Sequence, residues 1–186
     1  MRYDRQNARF NEGGRMGYND HAEAAAQHQA PVRCAIITIS DTRTSETDKS
    51  GALTQELLTA AGFQVVEYRI IPDEPDQVAE FVQQCIARSD CDAVLTNGGT
   101  GIARRDATIE AIAPLLDKKL PGFGEIFRML SYNEIGAGAM LSRAIAGIAG
   151  RTLVFCMPGS SGAVRLAMQS LILPELKHLV WEIARQ

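Results

Sequence analysis

The chain has 186 residues, a formal net charge of −3, and 46% hydrophobic against 22% charged residues, the balance of a globular protein able to bury a core. Its apolar runs fall far short of the ~20 residues that span a bilayer, and a nucleic-acid partner would need a basic face to neutralise phosphates. Neither a membrane nor a nucleic acid is therefore expected as a partner. Four cysteines lie among apolar neighbours with no Cys-x-x-Cys pair, and the three histidines are scattered, which argues against zinc and disulfides and for a reducing, cytoplasmic setting.

Residues 1–30 mix Arg2, Arg5, Arg9 and Arg15 with Asp4, Glu12, Asp20 and Glu23, and their large apolar residues are isolated. This reads as a mobile polar tail without the apolar run of a signal peptide, ahead of one domain over residues 31–186. Residues 32–39 form an almost continuous apolar, β-branched run, as a strand covered on both faces should. A polar loop over residues 40–51 follows. Leu53, Leu57, Leu58 and Ala61 then recur at helical spacing and stop at Gly62. A second strand over 63–71 is closed by Pro72, and Pro75-Asp76 opens a helix marked by Val78, Phe81, Val82 and Cys85. A short strand over 92–96 runs into a glycine turn, and Ile109, Ile112, Leu115 and Leu116 give another helical face. Residues 136–150 are rich in Gly and Ala. A strand over 152–157 and a loop over 158–162 lead to closing helices carrying Leu166, Met168, Leu171, Leu176, Leu179 and Ile183. Strands alternating with helices predict a doubly wound, three-layer α/β/α sandwich on a mostly parallel sheet.

In such sheets ligands bind beyond the carboxyl ends of the strands, where this chain places its polar loops. The strongest signal is Thr96-Asn97-Gly98-Gly99-Thr100-Gly101. Its glycines let backbone approach a ligand closely, and successive N–H groups can cradle an anion. No Gly-Lys-[Ser/Thr] follows, so this is not a Walker A loop, and Arg104 stands where a dinucleotide fingerprint needs its third glycine. Asp73, Glu74 and Asp106 are either helix caps or the carboxylates of a cation site beside the glycine loop. Asp41 and Asp48 flank Arg43 and Lys49 in the first loop. Ser142-Arg143 interrupts an apolar stretch, an odd place for a charge unless it meets an anion or a carboxylate. A flavodoxin-like module for some other phosphorylated ligand is compatible with the same residues.

Over residues 32–186 the chain resembles the MoaB/MogA family of molybdenum cofactor biosynthesis proteins. The resemblance rests on Ser40-Asp41-Thr42-Arg43, Asp48-x-Ser50-Gly51, Pro72-Asp73-Glu74, the glycine loop, Arg105-Asp106, Pro121-Gly122-Phe123-Gly124-Glu125, Leu141-Ser142-Arg143 and Met157-Pro158-Gly159, in that order. Phe127-Arg128-Met129-Leu130-Ser131 and Glu134-Ile135-Gly136 point to the MoaB branch. The resemblance implies adenylylation of molybdopterin by ATP with Mg²⁺, releasing pyrophosphate, in a homotrimer or homohexamer that works beside other proteins of that biosynthesis. It puts Asp73 and Asp106 on the family's critical acidic positions, candidate catalytic residues and Mg²⁺ ligands, and Ser142 on an active-site serine. Ser40, Asp41, Arg43, Ser50, Gly51, Asn97, Gly98, Gly99, Thr100, Gly101, Arg143, Pro158 and Gly159 are the expected substrate- and phosphate-binding set. Arg43, Arg105 and Arg143 are its candidate counter-charges. Many adenylylating members carry Pro-Gly-Asn-Pro where this chain has Pro158-Gly159-Ser160-Ser161. A non-catalytic paralogue that binds pterin or nucleotide as carrier or sensor is the competing expectation.

Overall fold

The computed structural model describes Gly17 and residues 30–185, so the expected tail lies almost wholly outside the described residues. Six strands form one sheet, β1 (Arg33–Ile39), β2 (Gln64–Ile71), β3 (Ala93–Asn97), β4 (Lys118–Lys119), β5 (Ile145–Ala149) and β6 (Thr152–Met157), in the order β2-β1-β3-β6-β5-β4. The first four in that order run parallel. β5 pairs antiparallel with β6, and β4 antiparallel with β5.

Alternation along β1 builds the two flanking layers. Cys34 and Ile36 pack with Leu58 of α1 (Lys49–Ala60), Phe127 of α4 (Pro121–Ile135), Val164 of α5 (Ser161–Ala167) and Leu176 of α6 (Leu173–Ala184). Ala35, Ile37 and Ile39 pack on the opposite face with Val78 and Val82 of α2 (Pro75–Ile86) and Ile112 of α3 (Thr108–Ile112). A strand buried on both faces must be apolar at every position, and Cys34 through Ile37 are fully buried. The sheet between helical layers is the expected α/β/α sandwich.

Three details depart from expectation. The helix expected to run through Leu115 and Leu116 stops at Ile112 and tightens into a 3₁₀ turn over Ala113–Leu115, since Pro114 disrupts a continuing helical ladder. The Gly/Ala-rich stretch holds β5, which turns back antiparallel on β6 through Gly150 at φ +57°. The segment before it holds α4, whose Phe123 and Phe127 are buried. Among the described residues no helix is long and apolar enough to cross a membrane. All four cysteines are free and buried, Cys34 on one face of the sheet and Cys85, Cys91 and Cys156 on the other. Burial pushes the Cys91 thiol up to about 11 and the Cys156 thiol up to about 12.

Candidate active site

Parallel pairing brings the polar loops to one edge. Ile39 sits opposite Ile71, Thr38 opposite Asn97, and Asn97 opposite Met157, so the loops after β1, β2, β3 and β6 emerge side by side. Backbone bonds from Ser40 N to Ile71 O (2.9 Å) and from Gly98 N to Met157 O (3.1 Å) extend the ladder into them.

The glycine loop is left-handed at Gly98 (φ +105°) and Gly99 (φ +59°), where a side chain would be strained. It is also crowded. A Cβ at Gly99 would lie 2.7 Å from Asp73 Oδ1, and one at Gly101 would lie 2.5 Å from Asp106 Oδ2. Two carboxylates thus press against two glycines of one loop. Thr108 closes the far side, its N–H donating to Gly99 O at 3.1 Å. Asp73 Oδ1 and Thr108 Oγ1 are both buried without a hydrogen-bond partner.

Neither acid caps a helix. Asp106 Oδ2 accepts from Ala103 N at 2.8 Å, closing a turn, while α3 starts from Ala107 without a side-chain cap. Glu74 precedes α2 without capping it, and Asp73 N donates to Asp41 Oδ1 at 3.1 Å. Burial pushes the Asp73 carboxyl above its ordinary value, the charges of Asp106, Asp41 and Glu74 push the same way, and Arg105 opposes them. An orphaned carboxylate oxygen among other carboxylates suits a hard cation. Among the described residues no three His, Cys, Asp or Glu side chains converge to hold a metal. A cation here would complete its shell from substrate oxygens and water, as Mg²⁺ commonly does.

A second polar assembly supports the loops from inside. The Asp48 side chain caps α1 by accepting from Gly51 N at 3.0 Å, and it takes the Tyr68 hydroxyl at 2.7 Å and Arg43 at 3.0 Å. Burial would raise this carboxyl, but bonds from Gly51, Thr38, Tyr68 and Ser50 outweigh it and hold it at about 2. Burial and the neighbouring Asp48 push Tyr68 up to about 12. Ser50 Oγ lies 2.9 Å from Asp48 Oδ1 and 2.8 Å from Asn97 Oδ1, Asn97 Nδ2 donates to Thr38 Oγ1 at 3.0 Å, and Arg43 also contacts Ser50 Oγ. Arg43 Nη2 donates to Gly159 O at 2.9 Å.

The residues expected from sequence therefore fall into distinct settings. Asp41, Asp73, Asp106 and the glycine loop share the strand-end edge. Ser50, Gly51 and Asn97 are buried within the supporting assembly. Ser40 Oγ accepts from Thr42 N and Arg43 N, each at 3.3 Å, and shapes the first turn. Thr100 is buried and Pro158 half-buried. Ser142 is half-buried just ahead of β5, whose first residue pairs with Cys156 at the end of β6. All three candidate counter-charges are already engaged: Arg43 with Asp48, Arg105 with Asp41 (3.0 Å) and Glu74 (3.1 Å), and Arg143 with Glu110 (2.6 Å). Sequence reasoning passed over Thr38, Tyr68, Thr108 and Glu110. Tyr68 left a trace as a hydroxyl-bearing ring in an apolar strand, whereas Glu110 left none. A cavity of about 440 Å³ lies at the opposite edge beside Arg33, Asp92 and Arg151. Its Arg33 is held bidentately by Asp92 at 2.9 and 2.8 Å, so the convergence of chemistry locates the site, and cavity size does not.

The family profile described as "Probable molybdopterin binding domain" matches residues 35–178. Molybdenum cofactor biosynthesis protein B of Bacillus cereus is 57% identical over 172 residues, covering 92% of this chain and all of that protein. A crystal structure of a molybdenum cofactor biosynthesis protein B superposes with a TM-score of 0.84 at 60% identity, over 86% of this chain and 100% of that one. The tungsten cofactor synthesizing protein MoaB of Pyrococcus furiosus follows at 0.75 and 41%, over 84% and 98%. With the strand-end glycine loop and its two acids on the matching fold, the chain belongs to the MoaB branch of the MoaB/MogA family of molybdenum cofactor biosynthesis proteins.

Proposed function

We propose that the chain is a molybdopterin adenylyltransferase. A terminal phosphate oxygen of molybdopterin attacks the α-phosphorus of ATP. A new P–O bond forms there as the bond to the bridging oxygen of the β-phosphate breaks, and its electron pair leaves with pyrophosphate. The observation that carries this reading is the pair Asp73 and Asp106 against one glycine loop, with Asp73 Oδ1 buried and unpartnered.

The nucleophile is already anionic near neutral pH, so no side chain must remove a proton. The barrier is holding two polyanions in line, which calls for positioning and preorganised positive potential. Mg²⁺, when bound by Asp73 and Asp106, would supply charge neutralisation between the phosphates. The chain supplies the rest. The Gly98 N–H is spent on Met157 O, and the later amides of the glycine loop would donate to phosphate oxygens. Arg105 and Arg143 sit in exposed ion pairs that cost little to exchange for phosphate. Arg43 stays with its buried Asp48 and shapes the loops instead.

The reading includes self-association as a homotrimer or homohexamer. Ile126, Met129, Tyr132 and Ile135 of α4 and Met140 and Leu141 just beyond it are exposed, more apolar surface on one element than solvent favours. A second copy of the chain is the partner that would cover it, and light scattering of the purified protein measures the mass.

The deciding experiment is pyrophosphate release with ATP, Mg²⁺ and molybdopterin, run beside Asp106→Asn. Release that requires the pterin and disappears in the variant supports the proposal. The carrier or sensor reading draws on a different observation, the prior pairing of Arg43, Arg105 and Arg143. Binding of ATP or pterin without release selects it.

A further inference from the structure

Asp48 is almost wholly buried, and its two oxygens serve different elements. Oδ2 takes the Tyr68 hydroxyl from the sheet-edge strand β2, and Oδ1 takes the Gly51 amide of α1 and the Arg43 guanidinium of the first loop. From there the assembly reaches the glycine loop along two routes. Arg43 holds Gly159 O, and Gly159 packs so closely on the loop that a Cβ there would lie 3.0 Å from Gly98 Cα. Ser50 meets Asn97 Oδ1, and Asn97 immediately precedes Gly98. Gly98 is therefore gripped from both sides by groups that converge on one carboxylate.

The packing leaves that carboxylate little freedom. A Cβ at Gly51 would fall 2.5 Å from Tyr68 Oη and 2.7 Å from Thr38 Oγ1. A buried carboxylate with every partner in place is rigid, and one partner removed leaves a charged oxygen unsatisfied. We propose that Tyr68 and Asp48 are positioning residues for the substrate-facing loops, acting through Arg43 and Asn97 without touching substrate. The loops' task is the adenylyl transfer proposed above, and the inference rests on that reading for its catalytic consequence alone.

The test begins with hydrogen exchange on the ligand-free full chain. Tyr68→Phe keeps the ring and removes the hydroxyl, whose bond to a charged group corresponds to about a tenfold effect. Peptides covering residues 40–53, 96–99 and 157–160 should exchange about tenfold faster, with residues 121–135 unchanged, and calorimetric Kd for Mg-ATP should rise by a similar factor. Asp48→Asn should reproduce both effects, and adding Tyr68→Phe to it should change neither further. Unchanged exchange at 96–99, an equal rise in every peptide, or additive losses in the double variant would overturn the proposal. Wild-type chain that binds Mg-ATP but releases no pyrophosphate ends the adenylyl-transfer reading, while the exchange pattern still decides this one.

Discussion

Two carboxylates at the same sheet edge meet opposite treatment. Asp48 is buried with a hydroxyl, an amide and a guanidinium bonded to it, and its pKa is held down at about 2. Asp73 keeps one oxygen buried and unbonded, faces Asp106, Asp41 and Glu74, and is pushed up. The first arrangement spends polar groups on rigidity, and the second leaves an electrostatic demand unmet. A site that must hold anionic substrates through a cation needs both, a fixed frame and a vacancy in its charge balance.

The contrast breaks first at Asp106. Asp106→Asn retains an oxygen for the Ala103 amide, so its thermal midpoint should stay near wild type while pyrophosphate release falls by about 10²-fold or more. A variant that keeps near-wild-type turnover removes the acid pair from the mechanism. On the supporting side, Asp48→Ala should cost about 3 kcal/mol in urea unfolding, because it strands buried donors and the Arg43 charge. Asp48 also predicts an acid limb. Its folded pKa lies below the ordinary 3.8, at about 2, so its contribution is complete above that ordinary value and disappears as pH falls from about 4 towards 2. That amounts to about 2 kcal/mol, visible as a steeper loss of urea midpoint in wild type than in Asp48→Asn.

Asp73 should behave in the reverse sense. Its folded pKa is raised, so its charged form costs stability at neutral pH, a cost relieved as it protonates. Asp73→Asn should lose activity while its melting temperature rises by about 2 °C; a falling midpoint would contradict the unmet charge balance. The smallest effect is expected at Glu110, which pairs with Arg143 and, on the proposed reading, would compete with phosphate for it. Glu110→Gln should tighten Mg-ATP binding by about 2–3-fold in calorimetry, the scale of an exposed ion pair.

The parallel half of the sheet was legible because β1, β3 and β6 are buried on both faces and carry nearly unbroken apolar runs. β4 is two exposed lysines and β5 reads Ile-Ala-Gly-Ile-Ala, so neither shows the period of a strand, and only the pairing of β5 with β6 and of β4 with β5 makes them strands. The glycine loop and its acids announced themselves by residue type and by their place after strands. The bracing contacts did not, since Tyr68 and Asp48 are 20 residues apart and Arg43 and Gly159 are 116 apart. Nor did the sequence show that Arg43, Arg105 and Arg143 are already engaged, because an ion pair is a property of distance and no composition carries it.

The four thiols give this architecture an internal clock for opening. Each is buried, with its ionisation suppressed, so a maleimide finds almost no thiolate in the closed molecule. Cys34 reports the layer that holds α1, α4, α5 and α6, and Cys85, Cys91 and Cys156 report the layer that holds α2 and α3. Labelling rates resolved by peptide would therefore time the detachment of the two layers separately. Simultaneous modification of all four would mean that the sheet sheds both at once.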